Sequence, residues 1–319
     1  MTLRIAVLDD YQRVAEGKAD WRGIGPDAET VFFHDHIADE ATVAGRLADF
    51  DVVCIMRERT PFRRGLVERL PRLKLLVTTG MRNAAVDLPA LAERGVTVCG
   101  TGAPGGPTAE LTWGLILALM RQIPHEDRAL RAGRWQLTVG QETAGRTLGV
   151  LGLGRLGAKV AKIGQAFDMN VIAWSPNLTA ERAAAAGARL VGKADLFALA
   201  DVVTIHVVLS DRSRGLVGAE DLARMKPTAY LVNTARGPIV DEAALAAALR
   251  DRRIAGAGLD VYGTEPLPSD HPFLGLDNTV LTPHLGYVTE GTYAQVYPET
   301  VEDIIAWRAG RPIRVLAPA

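Results

Sequence analysis

Short apolar runs alternate with stretches whose apolar residues recur every three or four positions, and this alternation covers most of the chain. Its centre is the segment 147–177. Leu148, Val150 and Leu151 predict a buried strand that ends at Gly152-Leu153-Gly154-Arg155-Leu156-Gly157. Val160, Ile163 and Phe167 then fall at helical spacing, and Val171 to Trp174 read as a second strand. Strand, glycine turn, helix and strand together make one βαβ unit of the kind that binds dinucleotides.

Upstream, the pattern predicts strands at 5–8, 31–33, 51–56, 75–77 and 96–99, with helices at 42–47, 66–70 and 88–94. A Gly/Pro run at 100–107 marks a crossing or hinge. A long apolar helix at 108–120, with a Thr108/Glu110 polar start, and a charged helix at 125–131 follow. Trp135 then serves either the core or a subunit contact. Beyond the glycine turn, strands at 190–191, 202–207, 230–233, 257–260 and 279–282 alternate with helices at 196–199, 219–225 and 241–249, and residues 183–186 form an alanine-rich helix. The last helix spans 292–308, where Pro298 is expected to kink or restart it. Strands alternating with helices predict an α/β protein built on parallel sheets.

The glycines of the central turn have separate physical roles. Gly152 permits the tight exit from the strand, Gly154 lets a pyrophosphate approach the backbone, and Gly157 lets the helix pack close to the sheet. The helix then offers free N–H groups to the phosphates. The acidic residue that holds an NAD ribose at the end of the second strand is absent; Ser175, Pro176 and Asn177 stand there. Arg182 lies a few residues on. NAD and NADP therefore both remain open as cofactor.

With 319 residues the chain has room for two domains of about 100–200 residues each. A hydrophobic content of 48% suits real cores, and a net charge of −1 gives no pull toward nucleic acid or an anionic membrane. Cys54 and Cys99 sit singly in apolar runs, so they read as buried thiols, with no metal site expected. The opening residues enter a strand without a signal-peptide pattern, and the apolar stretch 111–120 is too short to span a bilayer, so a soluble, cytoplasmic protein is expected.

Candidate chemistry gathers after the late strands. Asn233-Thr234-Ala235-Arg236-Gly237, Asp260-Val261-Tyr262-Gly263-Thr264-Glu265 and Thr282-Pro283-His284-Leu285-Gly286 each place an ionisable group at the carboxyl edge of the sheet. An arginine, a glutamate and a histidine near a nicotinamide suit hydride transfer to a 2-oxo acid. A protonated histidine donates to the carbonyl oxygen and recovers the proton in the reverse direction. A nearby carboxylate favours the protonated imidazole and orients its ring, and an arginine fork binds the substrate carboxylate. In the first hundred residues, Arg57 is either substrate-facing or a surface charge, and the loop Thr78 to Asn83 offers backbone amides to a carboxylate.

The segments GLGRLG, NTARGPIVDE, GLDVYGTEPLP and TPHLG resemble, in order, the motifs of the D-isomer-specific 2-hydroxyacid dehydrogenases. The resemblance implies two Rossmann-like, doubly wound parallel-sheet domains. The substrate domain would be discontinuous, 1–101 plus 287–319, with a dinucleotide-binding domain at 102–286, and closure about two hinges would exclude water. Arg236, Glu265 and His284 would be catalytic. Cofactor contacts would come from the glycine turn (Gly152, Gly154, Arg155, Leu156, Gly157) and from Ser175, Thr112, His206, Thr234 and Asp260, the last on the carboxamide. Arg57, Gly80 and Met81 would join Arg236 in binding the substrate. The implied activity is NAD(P)-dependent hydride transfer on a small D-2-hydroxy acid or 2-oxo acid, in a homodimer. Phosphoglycerate dehydrogenation is one alternative, and a corepressor-like nucleotide sensor on the same fold is another. Besides Ser175, Leu111 and Val208 depart from the family pattern, standing where His and Pro are usual. No additional C-terminal regulatory domain, and so no serine feedback, is expected.

Overall fold

Runs such as Val-Val-Cys-Ile and Tyr-Leu-Val-Asn are apolar at nearly every position, which suits strands covered on both faces. The computed structural model, whose described residues are 2–102 and 105–318, buries both runs completely. Ala103 and Pro104, inside the expected hinge, lie outside the described residues. The chain divides into two compact units, Met1–Pro104 with Thr289–Ala319 and Gly105–Val288.

The first unit holds β1 (Leu3–Val7), β2 (Ala28–Phe32), β3 (Val52–Ile55), β4 (Leu75–Thr78) and β5 (Thr97–Gly100), with α1 (Ala15–Lys18), α2 (Glu40–Leu47), α3 (Arg64–Glu68) and α4 (Leu88–Glu93) between them. All pairings are parallel, in the order β2-β1-β3-β4-β5. Strand order reverses at β1 and β3, the position where open α/β sheets bind ligands. Cys54 and Cys99 lie in register on either side of Val77, buried and unpaired as disulfides. Burial pushes both thiols up, that of Cys99 to about 12.

The second unit begins with α5 (Pro107–Met120) and α6 (Ile123–Arg131). It continues through β6 (Thr147–Leu151), α7 (Arg155–Ala166), β7 (Asn170–Trp174), α8 (Ala180–Ala185), β8 (Arg189–Leu190), α9 (Lys193–Leu199) and β9 (Val202–Ile205). It ends with α10 (Ala219–Arg224), β10 (Tyr230–Asn233), α11 (Glu242–Arg250), β11 (Gly256–Leu259) and β12 (Thr279–Leu281). The parallel sheet runs β12-β11-β10-β9-β6-β7-β8, with the reversal at β6 and β9. Apolar clusters cover the sheet: one around Phe197, Leu231 and Phe273, another around Trp113, Val160 and Val232. Parallel sheets are what the alternation predicted, and two of them, each doubly wound, are what the family resemblance implied.

The last helix, α12 (Glu290–Arg308), packs on β4 and β5 of the first unit. It runs through Pro298 as one helix, so of the two expected outcomes, a kink or a restart, the restart does not occur. Its many buried residues, among them Tyr293, Val296, Val301 and Ile304, outweigh the one backbone bond that proline forfeits. Trp135 is 74% exposed, which removes the core reading. Among the described residues, no helix is long and apolar enough to cross a membrane.

Each unit carries a shielded aspartate at the amino edge of its sheet, buried in the first and partly buried in the second. Asp51 accepts from the Arg4 amide (3.1 Å), Arg72 (2.9 Å) and Lys74 (3.0 Å). Asp201 accepts from the Thr147 amide (2.8 Å) and Lys226 (2.8 Å). Burial works against ionisation at both, but these donors prevail and hold both carboxyls below the usual range.

Candidate active site

The turn after β6 tests each glycine separately. Gly152 has φ +103°, and a Cβ there would meet the backbone of His206 and Val207 at 2.7 Å. A Cβ on Gly157 would fall 2.1 Å from the Gly152 carbonyl oxygen. Both are demanded by the chain itself. Gly154 is not: its φ is −87°, and a Cβ would meet nothing within 4 Å. Space is open at Gly154, and no side chain caps the first amides of α7. That is the cradle a pyrophosphate requires.

Two neighbours complete it. Ser175, at the end of β7, accepts a 2.9 Å bond from the Leu153 amide, so its hydroxyl braces the glycine turn. His206 follows β9, across the reversal from β6. Its Nε2 lies 2.9 Å from Thr204 Oγ1, while its buried Nδ1 has no hydrogen-bond partner among the described residues. Burial drives its pKa down to about 3, so the ring is neutral. A polar atom left unsatisfied beside an open glycine turn fits a site shaped for a further ligand.

The loops after β10, β11 and β12 converge. Gly237 presses on the next loop so closely that a Cβ would sit 2.0 Å from the Tyr262 carbonyl carbon. This contact draws the Arg236 turn against the turn that carries Glu265. The Arg236 backbone is fixed by Asn233, whose side chain donates to the Arg236 carbonyl and accepts from the Ala235 amide, both at 3.0 Å. Glu265 Oε1 accepts from the Tyr262 amide at 2.9 Å, and Oε2 lies 2.6 Å from His284 Nδ1. The pair is mostly shielded from solvent. His284 has φ +54°, a conformation a non-glycine residue keeps only where its surroundings fix it.

Asp260 supplies that fixation. It is fully buried and accepts from Thr282 Oγ1 (2.6 Å), the Leu285 amide (2.7 Å) and the Gly286 amide (2.9 Å), bracketing His284. Burial raises its carboxyl above the usual range against those donors and the His284 charge. This bracing was not read from the sequence, because it rests on contacts 22 to 26 residues apart. Thr112 and Thr234, expected at the cofactor, bond each other at 2.8 Å, and Thr108 ties α5 to the Gly286 carbonyl at 2.9 Å. Val208 and Arg155 are exposed, and the Arg155 guanidinium lies near Gly105.

Within the first unit, Arg57, Gly80 and Met81 come together at the carboxyl edge of β3 and β4. The Arg57 amide donates to Thr79 Oγ1 (2.9 Å), its carbonyl accepts from Asn83 (2.6 Å), and its guanidinium reaches the Thr79 carbonyl (3.4 Å). Gly80 has φ +91°, and its amide donates to Thr101 Oγ1 at 3.1 Å. Met81 is half exposed. Among the described residues no cluster of His, Cys, Asp and Glu could hold a metal ion.

Residues 113–286 match the family model described as D-isomer specific 2-hydroxyacid dehydrogenase, NAD binding domain. The chain is 39% identical to D-3-phosphoglycerate dehydrogenase of Archaeoglobus fulgidus over 82% of its own length, but spans only 50% of that relative. It is 38% identical to glyoxylate reductase of Aeropyrum pernix, over 77% of this chain and 76% of the other. The crystal structure of a phosphoglycerate oxidoreductase from Vibrio cholerae superposes with a TM-score of 0.92 at 36% identity, covering 97% of this chain and 100% of that one. The motifs, the paired parallel sheets and these likenesses agree: the chain belongs to the D-isomer-specific 2-hydroxyacid dehydrogenases.

Proposed function

We propose that the protein transfers hydride between NAD(P) and a small D-2-hydroxy acid or its 2-oxo acid. The observation that carries this reading is the 2.6 Å contact of His284 Nδ1 with Glu265 Oε2. With Nδ1 engaged, Nε2 is the nitrogen left to give a proton to a carbonyl oxygen or to take one from a hydroxyl. Glu265 fixes the ring and its tautomer through that contact, as a carboxylate does beside a catalytic histidine. Arg236 is the fork for the substrate carboxylate, assisted by Arg57 and the Gly80–Met81 backbone. The open turn at Gly154 and the neutral His206 favour a dinucleotide on the second unit, whose nicotinamide supplies or accepts the hydride. Ser175 brings neither the carboxylate that selects NAD nor a cation that selects NADP.

We also propose a homodimer. Ile123, Leu130, Trp135 and Val139 are exposed on α6 and the segment after it, an apolar group that a second copy would cover. Sedimentation of Trp135→Glu, expected to shift toward monomer, checks this.

The test of activity is oxidation of NADH and NADPH with glyoxylate, hydroxypyruvate and pyruvate. Turnover of at least one supports the reading. Tight nucleotide binding without turnover of any 2-oxo acid would replace it with a nucleotide sensor.

A further inference from the structure

A buried carboxylate in the first unit has no part in the chemistry above. Asp9 follows β1, is 2% exposed and has φ +57°. Arg57, after the neighbouring β3, has φ +54°. Both residues are left-handed without being glycine, and both stand where the strand order of this sheet reverses. Such conformations are sparsely populated and persist only where surrounding contacts fix them.

The contacts of Asp9 lead to the Arg57 turn. Thr60 Oγ1 donates to Asp9 Oδ2 at 2.7 Å, and Arg59 Nη1 donates to the Asp9 carbonyl at 3.2 Å. The Arg59 guanidinium lies 4.6 Å above the Tyr11 ring, and the Tyr11 hydroxyl donates to Asp9 Oδ1 at 3.2 Å. His36 Nδ1 lies 3.1 Å from the same oxygen. On its other side the turn is tied to Thr79 and Asn83, as described. The 57–60 turn is therefore held from β1 through Asp9 and from the loop after β4.

We propose that Asp9 is a positioning residue for substrate binding: it holds Thr60 and Arg59, and so keeps the Arg57 guanidinium against the 79–83 loop. The inference rests on the reading of Arg57 as a contact for the substrate carboxylate. An ångström of displacement in a charged fork is enough to weaken recognition, and a buried acceptor that loses its role releases three donors at once.

Steady-state kinetics with glyoxylate at saturating nucleotide tests it. Asp9→Ala and Thr60→Val are expected to raise KM for glyoxylate about tenfold, with kcat within about threefold of the parent and nucleotide KM unchanged. Thr60→Ser, which restores the hydroxyl, returns KM to the parent value. Thr60→Val keeps the volume and removes only the hydroxyl, so it carries the test should Asp9→Ala not fold. Arg57→Ala runs in parallel. If it raises KM while folded Asp9→Ala and Thr60→Val change only the melting temperature, the positioning role is overturned and the reading of Arg57 stands. If Arg57→Ala leaves KM unchanged, the reading of Arg57 fails and the inference fails with it.

Discussion

The two units share a plan and differ at one turn. Each is a parallel sheet whose first strand sits at the order reversal, and each has an aspartate clamp at its amino edge, Asp51 in one and Asp201 in the other. In the first unit the turn after the first strand is Asp9-Asp10, and the Asp10 carboxylate accepts from the Val14 and Ala15 amides at the start of α1. In the second unit the equivalent turn is glycine, α7 has no side-chain cap, and the space beside Gly154 is open. One unit answers its own helix start with a carboxylate; the other leaves that place for an outside anion. The topology is common to both, and the residues at one turn decide which unit takes a nucleotide.

The largest expected effect comes from removing the chemistry from the second unit. His284→Ala should lower kcat by roughly 10²–10⁴-fold, while nucleotide affinity, read by fluorescence titration, stays within about threefold of the parent. Gly154→Asp would give the second unit the first unit's kind of turn. The site has room for the side chain and an ordinary backbone conformation. Nucleotide affinity should fall by about 100-fold, equivalent to about 2.7 kcal/mol, and the capped helix should be more stable by only about 0.3 kcal/mol, because glycine is itself a fair N-cap.

The clamps should fail alike. Both carboxyls have folded pKa values below the 3.8 of the free side chain, so their stabilisation is complete above about pH 4 and is lost as pH falls through the folded values. Asp51→Asn and Asp201→Asn should each cost roughly 1–3 kcal/mol at neutral pH, with a flatter acid limb in denaturant melts. The smallest effect separates the units again. Asp303, fully buried in the first unit, is pushed up to about 7 by burial, against its 2.9 Å bond from Arg314. Because the unfolded chain releases this proton first, stability is lost as pH rises from about 4 to about 7. Asp303→Asn should flatten that slope, read as a smaller fall in Tm between about pH 4 and about pH 7 than in the parent.

Periodicity made much of this architecture readable. The strand at Tyr230–Asn233 appears where the apolar run places it, and the glycine turn follows β6 as the motif requires. Local pattern also put Arg236, Glu265 and His284 after successive strands, and the structure packs the Arg236 turn on the Glu265 turn and pairs Glu265 with His284. What escaped depends on register between distant segments. Nothing near Asp260 in the sequence says that it brackets His284, and nothing near Ser175 says that its hydroxyl is spent on the Leu153 amide. Asp9 and Thr60 lie 51 positions apart and meet only because β1 and β3 are neighbours. Pro298 does not restart the helix because propensity speaks for the isolated helix, whereas α12 is held by what it buries.

The interrupted first unit bears on the order of biosynthesis. Its five strands are all translated by Gly100, yet α12, which packs on β4 and β5, is added only after the whole of the second unit. The second unit is contiguous and has every one of its strands once Val288 clears the ribosome, so it is free to fold as a unit while its neighbour still lacks the helix that packs on β4 and β5. The half made first is thus the half completed last, because its sheet waits for the helix that closes it.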